Sequence, residues 1–81
     1  MRRPIVTPDL GPADPVLNHW FARPGEVVYA GDRVVEVLLG SATVDLSAPC
    51  TGHLAERLAW PSDHLAPGQV LGYIETGAGE E

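Results

Sequence analysis

Lysine is absent. All five basic residues of this 81-residue chain are arginine, so no side chain can serve as an amine nucleophile. Cysteine is nearly absent: Cys50 stands alone, which excludes an internal disulfide and a zinc-finger framework and fits a reducing cytoplasm. No apolar run is long enough to cross a bilayer, so no membrane partner is expected. The stretch Pro4-Ile5-Val6-Thr7-Pro8 behind Met1-Arg2-Arg3 is too short for an export signal. Positive charge is scarce as well. The formal net charge is −6 and the isoelectric point is about 4.8; such a surface repels phosphate backbones and excludes nucleic acid as the expected partner. A soluble cytoplasmic protein is the expectation.

What is present is turn-forming residues. Nine glycines and eight prolines are scattered singly between short apolar runs, the spacing of many short strands joined by tight turns. The expected strands are Ile5–Thr7, Val16–Ala22, Val27–Tyr29, Arg33–Leu39, Ala42–Ser47, Leu54–Ala59 and Val70–Glu75. No segment sustains a 3.6-residue period, so no substantial helix is expected. Gly40-Ser41 separates two strands, and glycine at the first central position suits a type II′ hairpin.

The chain also repeats itself. Residues Phe21–Asp32 lie over Leu58–Gln69; the pairs Pro24 and Pro61, Gly31 and Gly68, and Val37 and Ile74 are each 37 residues apart. Each half reads strand, proline turn, short strand, glycine turn, strand. Neither half can bury its own apolar face, so the two are expected to pack as a sandwich with approximate two-fold symmetry. Gly40-Ser41 falls between them, at an exposed turn.

Six motifs in order, beginning Val6-Thr7-Pro8-Asp9-Leu10-Gly11 and Trp20-Phe21-Ala22-Arg23-Pro24-Gly25 and ending Gly68-Gln69-Val70-Leu71, give the chain from about Ile5 to Glu75 a resemblance to the biotinyl/lipoyl attachment domain family. Val6-Thr7-Pro8-Asp9-Leu10-Gly11 resembles the opening of lipoyl domains. Trp20-Phe21-Ala22-Arg23-Pro24-Gly25-Glu26-Val27-Val28 resembles their Trp-Leu-Val-Lys-Pro-Gly-Asp-x-Val element. Gly31-Asp32 with Val34, Glu36 and Val37 resembles the strand entering the modification hairpin. Ala42-Thr43-Val44-Asp45-Leu46, with Ala48-Pro49 and Gly52, resembles the strand leaving it. Gly68-Gln69-Val70-Leu71 resembles the last strand. The resemblance implies an all-β flattened sandwich, a barrel-sandwich hybrid of two four-stranded antiparallel sheets with pseudo-two-fold symmetry. It divides the chain into an N-terminal arm (1–4), the domain (5–75) and a flexible acidic tail (76–81).

The family carries lipoate or biotin on a lysine at the hairpin tip. Lipoyl domains read Glu-Thr-Asp-Lys-Ala there, and biotinyl domains Ala-Met-Lys-Met; this chain reads Leu38-Leu39-Gly40-Ser41-Ala42. Ala42 favours the lipoyl branch. Ser41 occupies the lysine position, and the acidic neighbours have become Leu38 and Gly40. Serine is a poor nucleophile without a neighbouring base, and its product would be a labile ester. The N-terminal amine is expected at the opposite end of the fold. No cofactor is therefore expected.

The reading is a stand-alone, non-catalytic interaction or assembly module, set by family association beside 2-oxo acid dehydrogenase or related acyl-transfer components. Its interaction surface would be Leu38, Leu39, Gly40, Ser41 and Ala42, which also admits self-association through the hairpin. On a strand Leu38 and Leu39 point to opposite faces, so one of them is expected to face outward. The alternatives are a carrier with an unidentified prosthetic group and a lipoyl-like module of the membrane-fusion adaptor type. In the latter the halves are usually split by a helical hairpin.

The other polar residues carry little. His19, His53 and His64 sit on separate elements without ligand spacing, so no metal is expected. Cys50 lacks a flanking basic residue and reads as an unreactive thiol. Ser41 in a β-turn is unlike the helix-start serine that accepts phosphopantetheine. No nucleophile elbow is present, and Trp20 and Trp60 read as core-edge covers of a thin sandwich.

Overall fold

The computed structural model describes residues 1–12 and 14–77. Among them seven strands form: β1 (Arg2–Val6), β2 (Val16–Trp20), β3 (Val27–Val28), β4 (Arg33–Leu39), β5 (Ala42–Ser47), β6 (Gly52–Arg57) and β7 (Val70–Glu75). They build two antiparallel sheets, β1-β7-β6-β3 and β2-β4-β5. Leu17, Val34, Val35, Val37, Leu54, Leu71 and Ile74 fill the space between the sheets and are fully buried. Val34 and Val35 are adjacent yet both inside, because the register shifts between Arg33 and Val35; a bulge cancels the alternation of faces there. Trp20 lies over Gly72, where a side chain would meet its ring, and its indole N–H donates to the Ala59 carbonyl at 2.9 Å.

The internal repeat is written in hydrogen bonds. The Gly25 N–H donates to Leu54 at 2.7 Å and the Ser62 N–H to Leu17 at 2.8 Å; Phe21 donates to Val34 and Leu58 to Leu71. Side-chain caps repeat too. Glu26 accepts from the Arg23 N–H as Asp63 does from Trp60, and Asp32 accepts from Tyr29 as Gln69 does from Ala66. Every one of these pairs is related by the offset of 37. The first strand joins the pattern with a longer offset: Thr7 exchanges hydrogen bonds with Gln69 and Gly68 as Ala48 does with Asp32 and Gly31.

Three boundaries differ from expectation. The second sheet has three strands instead of four; its fourth position is a single bridge between His64 and Val16. Turns at Trp60–Asp63 and Ala66–Gln69 close on either side and leave too few residues for a strand. Residues 1–4 are not a loose arm. Arg2, Arg3 and Pro4 pair with Glu75, Ile74 and Tyr73, extending the first strand to satisfy the free edge of β7. Thr76 likewise belongs to the domain, buried and bonded through its N–H to the Met1 carbonyl at 2.8 Å, while the acidic residues 80–81 lie outside the described residues.

The symmetry exposes one strained residue. Gly25 has φ +91°, and its counterpart Ser62 has φ +82°, in the left-handed region that disfavours a side chain. Ser62→Gly relieves roughly 1 kcal/mol of strain against about 0.5 kcal/mol of added unfolded-chain entropy. The expected net gain of about 0.5 kcal/mol is a rise in melting temperature of about 3 °C. A fall in melting temperature would show that the Ser62 side chain contributes more than its backbone costs.

Candidate functional site

The β4–β5 hairpin ends in a two-residue turn, with Leu39 paired to Ala42. Gly40 has φ +62° and Ser41 has no positive φ; this sign pattern belongs to the II′ turn rather than I′. Gly40, Ser41 and Ala42 are exposed. Leu38 and Leu39 are both half-buried; Leu38 shares the face of Glu36, opposite the buried Val37, as strand alternation requires. Leu38 is flanked by Val16 on β2 and Thr43 on β5, so neighbouring strands cover much of its area.

Among the described residues the Ser41 hydroxyl makes no hydrogen bond to a histidine or carboxylate. His19 pairs with Glu36, well down β4 from the turn, and His64, 2.9 Å from Asp14, lies on the far side of β2. The terminal amine lies at the other pole. From the start of β4, the chain of contacts runs through Gly31 to Ala48 and Ala30 to Thr51, then across β3, β6 and β7 to Met1. There the Met1 amine donates to Glu75 at 2.9 Å. This bond, helped by Arg2, holds the Glu75 carboxyl below its ordinary range; hydrogen bonds to Glu56 and Glu75 push the Arg2 guanidinium upward. These groups are exposed, and such pairs contribute little to stability.

The remaining candidates scatter. His19 is exposed and meets Phe21 edge-on at 5.0 Å, while His53 lies exposed on β6. Among the described residues no three His, Cys, Asp or Glu side chains converge. Cys50 is half-buried against the core. Trp20 is buried, but Trp60 is half exposed rather than a core cover.

Two features escaped the sequence reading. An open groove of about 460 Å³ runs between the edges β1 and β5, lined by Pro4, Ile5, Val6, Leu46 and Pro49 among others. Arg57 is the other: its guanidinium carbon lies 6.0 Å from the Trp20 ring centre and 5.5 Å from that of Trp60. A charge on a strand reads as solvated, but the repeat places Arg57 opposite Trp20, a buried position, and that was the available signal.

Comparison with known proteins gives one consistent answer. Over 72 residues, 86% of the chain, it is 32% identical to the dihydrolipoyllysine-residue succinyltransferase component of the 2-oxoglutarate dehydrogenase complex of Buchnera aphidicola. Over 94% of the chain it is 31% identical to the same component of Bacillus subtilis. The chain spans 18% and 19% of the length of these relatives. Among solved structures, it superposes on the lipoyl domain of the 2-oxoglutarate dehydrogenase complex from Azotobacter vinelandii. The TM-score is 0.73 at 26% identity, covering 91% of this chain and 98% of that domain. No family model matches the chain.

Proposed function

Because the chain belongs to the lipoyl-domain family, we propose that it is a lipoyl domain turned from carrier to docking module. It has no enzymatic activity of its own and works in the cytoplasm beside a 2-oxo acid dehydrogenase or related acyl-transfer assembly. The observation carrying this reading is the hairpin itself: the turn is built and exposed, yet Ser41 stands at its tip and the chain contains no lysine. Lipoate and biotin do not fit this donor set. A hydroxyl without a neighbouring base is a poor nucleophile, and the terminal amine sits at the opposite pole. The relatives are named for a lipoyl-bearing lysine; the scaffold is common to them and to this chain, the acceptor is not. The docking surface is Leu38 to Ala42, with the apolar share supplied by two half-buried leucines.

Intact-mass measurement after co-expression with lipoyl and biotin ligases tests this reading. The expected product has the mass of the unmodified polypeptide. A gain equal to a lipoyl, biotinyl or other acyl group on any residue would instead establish a carrier.

A further inference from the structure

Arg57 is the most unusual side chain outside the hairpin. Its Nε is buried and has no hydrogen-bond partner. Among the described residues its guanidinium forms no ion pair and no hydrogen bond, whereas Arg2 pairs with Glu56 and Glu75, and Arg33 with Asp45. Its charge is met only by the faces of Trp20 and Trp60. A buried donor left unpaired is destabilising, and cation–π contact with two indoles offsets only part of that. Among the described residues the half-buried guanidinium thus has no anionic partner, in a protein whose net charge is −6.

The surroundings define what kind of anion. Leu58 and Trp60, the first and third residues after Arg57, are 48% and 51% exposed. Trp60 is held from beneath: its N–H donates to Asp63 at 2.9 Å within the turn, so its ring projects from a fixed backbone. Trp20, the other ring near the guanidinium, is anchored by its indole hydrogen bond to Ala59. Arginine clamped by aromatic faces is pre-organised for a planar acceptor. Tryptophan and arginine together make the composition of an interface hot spot.

We propose that Arg57, Trp60 and Leu58 form a second docking surface, separate from the hairpin, that receives a glutamate or aspartate flanked by apolar residues on a partner polypeptide. The carboxylate pairs with the Arg57 guanidinium, and the apolar neighbours cover Trp60 and Leu58. A dianionic phosphate fits less well. A single arginine would face it, within a strongly acidic molecule and between apolar walls that a phosphate cannot cover.

The test is an NMR titration of the protein with a terminally blocked Leu-Glu-Leu-Glu-Leu peptide. The readouts are the indole N–H signals of Trp20 and Trp60 and the Nε–H of Arg57. Saturable shifts at these three groups are expected, together with about a tenfold weaker affinity in Arg57→Gln and in Trp60→Ala. The Gln-for-Glu peptide should leave the signals in place, and inorganic phosphate should move them far less than the acidic peptide. Arg57→Lys, which keeps the charge, guards against a folding defect and should retain intermediate affinity. Absence of shifts at millimolar peptide overturns the proposal, as does equal binding by the Gln peptide or by a folded Arg57→Gln. Phosphate acting as strongly as the peptide also overturns it. Shifts confined to Leu38–Ala42 would overturn this surface while leaving the hairpin reading intact.

Discussion

Ser41→Lys alone is expected to remain almost entirely unmodified by a lipoyl ligase, whereas Leu38→Glu, Gly40→Asp and Ser41→Lys together are expected to be lipoylated in the majority of molecules. The turn is already correct: two residues between paired Leu39 and Ala42, exposed and open, with space around the Gly40 position. A lysine at 41 therefore meets no steric barrier and should change stability by no more than about 0.5 kcal/mol. What it lacks is the acidic surroundings that lipoyl domains place beside their lysine. Gly40→Asp imposes a side chain on φ +62°, at a cost of about 1 kcal/mol, which aspartate tolerates better than most residues. Intact mass after co-expression with the ligase reads both variants. Efficient modification of the single variant would show that the acidic neighbours matter little. An unmodified triple variant would show that the hairpin has lost more than its acceptor and its charges.

Gly72→Ala is expected to be strongly destabilising. A Cβ at this position would sit 2.5 Å from the Glu56 carbonyl oxygen and 3.2 Å from the Trp20 ring. The first of these is backbone in the adjacent strand and cannot rotate away. The second is the indole that closes the core and flanks Arg57. The expected loss is about 3 kcal/mol, a large part of the roughly 5–10 kcal/mol available to a small domain. Urea denaturation measures it. A loss below about 1 kcal/mol would mean that β6 and β7 separate locally at little cost. Arg57 should lose its contact with the Trp20 ring in the same variant, because Trp20 must move to make room.

The two halves could be seen in the sequence because they share punctuation. Pro24 with Pro61 and Gly31 with Gly68 mark equivalent turns, and the hydrogen bonds fall where that equivalence puts them. The hairpin turn was legible for the same reason, since glycine before serine leaves few choices of type. Other features depended on partners distant along the chain. Arg2–Pro4 has no strand pattern of its own and becomes a strand through pairing with β7. The left-handed Ser62 was hidden because serine stands where the first half has glycine. Leu38 and Leu39 alternate as expected, but their cover comes from strands on either side. Arg57 carries a charge, and only its position opposite a buried tryptophan in the repeat revealed that it is drawn inward.

The offset that relates Thr7 to Ala48 also relates Met1 to Ala42, while the offset of 37 relates Thr76 to Leu39. The hydrogen bond between Thr76 and Met1 thus corresponds to the Leu39–Ala42 pair that closes the hairpin. In effect the backbone has two equivalent corners: one is bridged by Gly40-Ser41, and the other is held by the Thr76–Met1 hydrogen bond. Joining the present ends with a short turn and cutting between Gly40 and Ser41 would yield the same sandwich with its poles exchanged. Evolution of such a molecule need not preserve which corner carries the chemistry, only that one corner stays closed.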